Sequence, residues 1–297
     1  MNSFDEIKSK ALHNNTKKVI ALACADDEHS LEAIRDAELE LGVDYLLIGD
    51  KESIIKAADA AYFPIERDKI IHAYSSGLAA EIAVEMVRDG SADILMKGKI
   101  QTGTLLKAVV DKKNGIRTGG LMSHMAVLEC PEYHKLLYIT DGGMVASPNF
   151  EQKKDILLNC VEFLTKMGYN RPKVAALAAV ETINDKMQET VDAALLAKQN
   201  REGLIPNCLI EGPLSFDLAI SLQAAKIKAA TSDVSGDVDI LLAPNISCGN
   251  ITAKSLIYLA KAKMAGCILG AKAPIVLVSR GASSQEKMLS ILLTMAV

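Results

Sequence analysis

The sequence contains no tryptophan, and aromatic side chains make up only 4% of its 297 residues. So few aromatic rings argue against a surface on which nucleic-acid bases stack. The net charge of −4 leaves no overall basic field that would recruit nucleic acid or an anionic membrane. No apolar run approaches the roughly 20 residues needed to cross a bilayer. We therefore expect neither nucleic acid nor membrane as a partner.

Cysteine and histidine motifs are also missing. The six cysteines form no CxxC pair, and the five histidines show no HExxH or comparable ligand spacing. Isolated cysteines in mostly apolar surroundings are typical of a reducing compartment, and the polar N-terminus has no signal-peptide apolar region. We expect a cytoplasmic protein without a bound metal. Neither GxGxxG after the first strand nor GxxxxGK[ST] is present, so no standard nucleotide-binding motif is predicted.

Short Val/Ile/Leu runs alternate with longer helical patterns along almost the whole chain. The first run, Val19–Ala25, is followed by a helical pattern that ends at Gly42. The last run, Pro274–Ser279, is followed by a helix from about Ser283. Strands that are apolar on both faces and are separated by helices predict a parallel sheet covered by helices on both sides. The expected fold class is therefore α/β.

The alternation is interrupted in the middle of the chain. Two strand-like runs, Gly119–Cys130 and His134–Gly143, are separated only by Pro131-Glu132-Tyr133, with no helix between them. Two strands joined by such a short segment predict an antiparallel pair.

This interruption divides the chain into two predicted domains, each with a mainly parallel sheet flanked by helices. The first comprises residues 1–118 together with about 272–297, and the second comprises about 119–271. We expect the active-site cleft between them. In open parallel sheets, ligands bind beyond the carboxyl ends of the strands, so the loops that follow the strands are the candidate sites.

Five loops that follow predicted strands are rich in Gly, Ser, Thr or Asn, and each leads into a helix. They are Met96–Thr104, Asp141–Pro148, Glu211–Asp217, Ala243–Asn250 and Ser279–Glu286. Backbone N–H groups, aligned peptide dipoles and small hydroxyl donors are suited to binding anions. Ordinary strand-to-helix turns need the same residue types for backbone freedom and helix caps. A single loop therefore does not identify a binding site.

Several of these segments, taken in order, resemble the phosphate acetyl/butyryltransferase family. "DILLAPNISCGN" resembles a proline-ended strand with a Gly-Asn loop, and "APIVLVSRGASS" resembles a later strand that ends in Ser-Arg. "EGPLSFDLAIS" and "MKGKIQTGTLLKAVV" resemble two further segments of the family. The resemblance covers about residues 15–297 and is closer to the butyryl branch than to the acetyl branch.

The resemblance implies an acyltransferase that moves a short acyl group between CoA and inorganic phosphate. Butyryl-CoA and phosphate would give butyryl phosphate and CoA through a ternary complex without a covalent intermediate. The family also implies two α/β domains of the isocitrate-dehydrogenase-like type, a homodimer or higher homo-oligomer, and no metal. Acyl-CoA and phosphate would be the small-molecule substrates, with no tightly bound cofactor.

The resemblance assigns catalytic roles to three residues near the C-terminus. Arg280 would hold phosphate through its planar fork, which lysine cannot reproduce. Ser279 would donate a hydrogen bond near the thioester. Glu286 falls where the acetyl branch carries an aspartate proposed as the base for the thiol, but Ser283 and Glu286 also form the S-x-x-E pattern of a capping box. Both roles of Glu286 stay open.

Further candidates would bind the substrates. They are Lys97, Lys99, Thr102, Lys107, Gly249 and Asn250. Lys107 falls near a basic anion-binding position of the family, although it is equally compatible with an exposed helix lysine. Asn250 is either a helix cap or a polar contact to the ligand.

Other functions remain compatible with the residues. The acetyl-transferring branch is one alternative. Another is an NAD- and metal-dependent dehydrogenase on the same superfamily fold, which would require metal-binding acids or histidines that the sequence does not gather. A third is a two-domain protein that closes on an anion without turnover.

Overall fold

The computed structural model describes residues 1–14, 17–230, 232–279 and 281–297. The chain divides into two compact units. The first unit comprises Asp5–Gly120 and Ala265–Val297, and the second unit comprises Met1–Phe4 and Leu121–Met264.

Strands and helices alternate along most of the chain. The strands are β1 (Val19–Ala23), β2 (Asp44–Gly49), β3 (Ile70–His72), β4 (Ile94–Lys97), β5 (Ser123–Glu129), β6 (Leu137–Thr140), β7 (Lys173–Leu177), β8 (Leu209–Leu214), β9 (Ile240–Leu242), β10 (Lys263–Leu269) and β11 (Ile275–Val276). The helices are α1 (Phe4–Asn14), α2 (Glu28–Leu41), α3 (Lys51–Ala60), α4 (Ser76–Asp89), α5 (Thr102–Val109), α6 (Phe150–Lys166), α7 (Gln188–Arg201), α8 (Phe216–Ile220), α9 (Leu222–Ile227), α10 (Ile246–Tyr258) and α11 (Ser284–Met295). Within the described ranges, no helix combines the length and the apolar character needed to cross a membrane.

The first unit contains a mainly parallel sheet with the strand order β3-β2-β1-β4-β11-β10. Neighbouring strands are parallel from β3 to β11, and β10 runs antiparallel to β11. Every residue of β4 is buried, which agrees with a strand covered by helices on both faces. Because β1, β4 and β11 are parallel neighbours, their carboxyl ends lie side by side at one edge of the sheet.

The second unit contains strands in the order β5-β6-β9-β7-β8. The antiparallel pairing of β5 with β6 is confirmed, and the remaining neighbours are parallel. In the segment that joins β5 to β6, the Tyr133 hydroxyl donates to the Val238 carbonyl at 2.7 Å. This hydrogen bond fixes the connection against the segment that leads into β9.

Glycine marks the ends of two helices, as the helical patterns "SLEAIRDAELELG" and "GLAAEIAVEMVRDG" predict. Gly42 follows α2 with φ 67°, and Gly90 follows α4 with φ 86°. Such left-handed backbone is accessible to glycine without the clash that a Cβ introduces.

Helix α5 ends earlier than the sequence predicted. The helical pattern extends to Gly115, but the helix stops at Val109. The Asp111 side chain accepts the backbone N–H groups of Lys113 and Asn114 at 2.9 and 2.7 Å. A local turn stabilised in this way competes with continuation of the helix.

The helical pattern "ITAKSLIYLAKAKMAG" predicts that α10 continues to Gly266, but this prediction is wrong. The helix ends at Tyr258, Lys261 adopts a left-handed φ of 57°, and β10 begins at Lys263. No glycine stands at this helix end, so the usual sequence signal for termination is missing.

The segment "FDLAISLQAAKIKA" after β8 has the pattern of a single helix, but this prediction is also wrong. The segment forms α8 and α9, because the Ser221 hydroxyl accepts the Ala224 N–H and caps the second helix.

Candidate active site

A cavity of about 360 Å³ lies in the first unit, beside the carboxyl ends of β1, β4 and β11. Its lining residues are Asp27, Glu28, His29, Lys97, Gly98, Lys99, Val278, Ser279 and Lys287. Three of the residues predicted from the sequence, Lys97, Lys99 and Ser279, therefore line one space. The position matches the rule that ligands of parallel sheets bind beyond the carboxyl ends of the strands.

The loop after β4 is held tightly against the end of β1. Gly98 donates its N–H to the Ala23 carbonyl, and Lys99 donates its N–H to the Cys24 carbonyl, both at 2.9 Å. A Cβ on Gly98 would lie 2.1 Å from the Cys24 carbonyl oxygen. Only glycine therefore allows this close approach, which fixes the backbone between the two lysines.

The two lysines of this loop differ in their surroundings. Lys97 is only 4% exposed, and its ammonium group donates to the Gly98 carbonyl at 3.2 Å. Lys99 is exposed, and its Nζ lies 3.7 Å from Oδ2 of Asp26. A buried ammonium group attracts an anion more strongly than one in water, because the surrounding dielectric constant is lower. Lys97 is thus the better placed of the two for holding an anion in the cavity.

An ion pair between the buried Lys287 and the half-buried Asp27, absent from the sequence-based prediction, lines the same cavity. The Lys287 ammonium group donates to Oδ1 of Asp27 at 2.6 Å and to the Ser30 hydroxyl at 2.8 Å. Burial by itself would raise the pKa of Asp27, but the hydrogen bonds from Lys287 and Ser30 outweigh it and hold the pKa below its usual value. Asp27 lies in the loop after β1, so its position beside a strand end was the signal that would have identified it.

Ser279 lies three residues beyond the end of β11. Its hydroxyl accepts the Gly281 N–H at 3.4 Å, and its carbonyl accepts the Ala282 N–H at 3.1 Å. The side chain is exposed. Arg280, the predicted phosphate ligand, lies outside the described residues, so its role stays a prediction.

Glu286 forms the capping box that its sequence pattern predicted. Its Oε2 accepts the Ser283 N–H at 2.8 Å, and its own N–H is donated to the Ser283 hydroxyl at 3.2 Å. The cap at the start of α11 is confirmed. The alternative role as a base stays a prediction.

The two remaining candidates of the first unit lie on α5. Thr102 is the first residue of the helix and is half-buried. Lys107 is exposed and lines another cavity, of about 380 Å³, together with Glu81 and Arg88 of α4. The structure thus places Lys107 in a different cavity from Lys97.

Gly249 and Asn250 belong to the second unit, where they pack α10 against the loop after β6. A Cβ on Gly249 would lie 2.5 Å from the Asp141 carbonyl oxygen, and the Asn250 amide donates to the Gly142 carbonyl at 3.0 Å. The interpretation of Asn250 as a helix cap is wrong, because Asn245 caps α10 by accepting the Cys248 N–H.

Asp141 supports this second-unit loop from within. Its Oδ1 accepts the N–H groups of Gly143 and Met144 at 2.6 and 2.8 Å, and its Oδ2 accepts the His124 N–H at 3.0 Å. Asp141 is only 2% exposed. Both carboxylate oxygens accept hydrogen bonds from backbone N–H groups, and these bonds stabilise the conformation of the loop.

A network of ion pairs in the second unit joins the start of α8 to the segments after β7 and α9. Lys228 lies 3.2 Å from Glu181 and 3.1 Å from Asp217, and the Ser215 hydroxyl lies within hydrogen-bond distance of both carboxylates. In the part of the chain that the structure describes, no three His, Cys, Asp or Glu side chains are grouped to hold a metal ion.

Comparisons with known proteins agree with the resemblance seen in the sequence. The family model described as phosphate acetyl/butaryl transferase matches residues 69–295. A probable phosphate butyryltransferase of Bacillus subtilis (strain 168) is 43% identical over 289 residues, which cover 97% of this chain and 95% of the relative. A phosphate acetyltransferase of Thermotoga maritima is 42% identical over 277 residues, covering 93% and 94%. A crystal structure of a branched-chain phosphotransacylase from Enterococcus faecalis V583 has a TM-score of 0.83 and 31% identity, covering 94% of this chain and 98% of that one.

Proposed function

Since this chain belongs to the phosphate acetyl/butaryl transferase family and is a phosphate acyltransferase, we propose that it transfers a butyryl or similar short acyl group. The acyl group moves between CoA and inorganic phosphate within a ternary complex, without a covalent intermediate. The observation that carries this proposal is the first-unit cavity, where Lys97, Lys99, Lys287 and Ser279 converge beside adjacent strand ends.

Phosphate is the substrate that the lysines of the cavity suit best. The buried ammonium group of Lys97 supplies charge in a low-dielectric setting. Arg280 follows Ser279 in the chain and would add a planar fork that matches two phosphate oxygens. Together they would neutralise the nucleophile and hold it beside the thioester.

In the forward reaction, a phosphate oxygen attacks the thioester carbonyl carbon. The carbonyl oxygen becomes an oxyanion, which the Ser279 hydroxyl and a nearby ammonium group would stabilise. The C–S bond then breaks, leaving acyl phosphate and the CoA thiolate, which takes up a proton. In the reverse reaction, the thiol must lose that proton before its sulfur attacks the acyl phosphate.

Two side chains near the cavity are poorly suited to forming an acyl-enzyme. Burial, together with the neighbouring charge of Asp26, raises the pKa of the Cys24 thiol to about 11, and only the thiolate is a strong nucleophile. Among the described residues, no histidine or carboxylate is hydrogen-bonded to the Ser279 hydroxyl, so a base that would activate it is missing. Direct attack by phosphate therefore fits these side chains better.

The preference for butyryl-CoA rests on the similarity of "LLAPNISCGN" and "VSRGASS" to the butyryl branch. The relative from Bacillus subtilis carries the same assignment in its name. One methylene group changes discrimination by only about 1–3 kcal/mol, so we expect graded activity on neighbouring chain lengths.

The direct test is release of free thiol from acyl-CoA by the purified protein. Acetyl-, propionyl- and butyryl-CoA are compared with and without phosphate, and phosphate-dependent release that is highest with butyryl-CoA is expected. If none of the three thioesters releases thiol, the proposed function is wrong.

The absence of a covalent intermediate has its own test. Butyryl-CoA is incubated with isotopically labelled CoA in the absence of phosphate. An acyl-enzyme would exchange label into butyryl-CoA, because free CoA could reverse the first half-reaction. A ternary-complex mechanism gives no exchange until phosphate is added.

A further inference from the structure

Lys287 connects the starts of two helices of the first unit. It stands one residue after Glu286 in α11 and is only 5% exposed. Its ammonium group donates to Asp27, the N-terminal cap of α2, and to Ser30, which is completely buried. One charged group therefore joins the helix that follows β11 to the helix that follows β1.

Stability alone does not account for this arrangement. Even an ion pair that is largely removed from water can often be replaced by well-packed apolar side chains without loss of stability. The other carboxylate oxygen of Asp27, Oδ2, is buried and has no hydrogen-bond partner among the described residues. A buried polar group left incompletely satisfied is rare and calls for a reason other than stability.

The location of the pair supplies that reason. Asp27 and Lys287 both line the candidate active-site cavity. Residues 280–283 separate Ser279 from the start of α11, so the position of the helix limits where Ser279 can lie. Asp27 likewise belongs to the loop after β1, against which the Gly98 loop is hydrogen-bonded.

We propose that Lys287 and Asp27 are positioning residues that hold the loops after β1 and β11 at the separation needed for phosphate binding. The inference rests on the proposed function. Neither side chain reacts; both act through Ser279 and the lysines of the Gly98 loop. A displacement of about 1 Å in such a site can reduce the rate by about 100-fold.

The test replaces Lys287 by methionine, which keeps the length and apolar stem of the side chain but removes its charge. The KM for phosphate should rise by about 10-fold or more, while the KM for butyryl-CoA stays near the wild-type value. Loss of folded protein would lower only the maximal rate, so the change in KM separates positioning from a structural role. Lys287→Arg retains a charged donor and should restore part of the phosphate affinity.

A matched control exists at the other end of the same helix. The Lys18 ammonium group donates to the carbonyls of Thr294 and Val297 at 3.1 and 2.8 Å. Lys18→Met therefore removes a comparable lysine anchor from α11, away from the cavity. It should lower the melting temperature and leave both KM values unchanged.

Three results would overturn the inference. The first is an unchanged KM for phosphate in folded Lys287→Met, and the second is an equal rise in Lys18→Met. If Lys287→Met does not fold, Asp27→Asn carries the test, because Asn still caps α2; an unchanged KM for phosphate in that variant is the third. Wild-type protein without thiol release would instead refute the proposed function and, with it, this inference.

Discussion

The loops that follow the strands differ between the two units. In the first unit, the charged side chains of Lys97, Asp27 and Lys287 line a cavity. In the second unit, the loop after β6 and the start of α10 approach so closely that Gly249 has no room for a Cβ. The Asn250 amide is donated to a backbone carbonyl of that loop.

This difference teaches that similar Gly- and Asn-rich loops need not serve similar purposes. In the second unit, the polar atoms of Asp141 and Asn250 satisfy the backbone of the loops themselves. In the first unit, buried ammonium groups line an open space. We therefore interpret the loops that line the first-unit cavity, here called the first region, as the source of charge for the substrate. The loop after β6 and the start of α10 form the second region, and we interpret their polar contacts as maintaining the local backbone structure.

Arg280→Ala should have the largest effect, because it tests whether charge is what the first region supplies. Phosphate-dependent thiol release should fall by about 1,000-fold, the magnitude typical of losing a group that stabilises developing charge. Arg280→Lys keeps the charge but not the fork and should recover only part of the rate. Wild-type turnover by Arg280→Ala would remove this residue from the mechanism.

Gly249→Ala tests whether the second region depends on close backbone packing. The added Cβ would lie 2.5 Å from the Asp141 carbonyl oxygen, and overpacking of this kind lowers the free energy of unfolding by about 1–3 kcal/mol. Denaturant unfolding measures the change. Gly103→Ala is the control, because its Cβ would meet nothing within 4 Å in helix α5. Equal stability of the two variants would contradict the packing description.

Asp27→Asn and Asn250→Ala together test whether an ionic contact stabilises the first region and a neutral contact the second. The test is the pH dependence of their effects on the free energy of unfolding. The hydrogen bonds from Lys287 and Ser30 hold the folded-state pKa of Asp27 below its usual value, so its ionic contribution is complete above the unfolded-state pKa and is lost as pH falls through the folded-state pKa. We expect Asp27→Asn to lower the free energy of unfolding by about 1 kcal/mol at pH 7, and this difference to shrink in acid. Asn250→Ala removes a neutral hydrogen bond, so its effect should not follow the same titration. If the difference in the free energy of unfolding between wild type and Asp27→Asn stayed constant down to strong acid, Asp27 would not stabilise the fold through its negative charge.

Glu286→Gln should have the smallest effect. Glutamine can accept the Ser283 N–H as glutamate does, so it preserves the capping box, although it cannot take a proton from a thiol. Turnover and melting temperature should both stay close to wild type. A large loss of turnover in a variant of normal melting temperature would instead establish Glu286 as a base.

The sequence predicted the parts of the fold that local patterns encode. Runs such as Val19–Ala25 are apolar on both faces, and the helices that follow them end at residues such as Gly42. The short connection at Pro131-Glu132-Tyr133 likewise predicted the antiparallel pair β5 and β6, which is confirmed. Each of these signals lies within the segment that it describes.

Strand β10 was not predicted, because the signal that ends the preceding helix is of a different kind. Lys261 takes the left-handed backbone conformation that glycine usually occupies. The small and apolar residues after it continue a helical pattern, and Gly266 lies within the strand instead of at the helix end. The local pattern therefore favoured a helix, whereas pairing with β11 stabilises a strand in this segment.

The site shows the same limit. Lys97 and Lys99 were predicted because they flank Gly98 in a loop at the end of a predicted strand, and Ser279 was predicted from the family resemblance of the segment that contains it. The pairing of Asp27 with Lys287 joins residues 260 positions apart, and no local pattern encodes it. For Asn250, the cap was one of two open interpretations, because the sequence does not determine whether α10 starts near Asn245 or Asn250; the structure contradicts the cap.

The close contact at Gly98 also defines how this protein can be altered by directed evolution. Any side chain at that position would collide with the Cys24 carbonyl oxygen, so a library that varies position 98 would consist mainly of damaged variants. His29 lines the same cavity but is exposed, so substitutions there leave the sheet intact. Variation aimed at new acyl donors should therefore keep glycine at 98 and begin at 29.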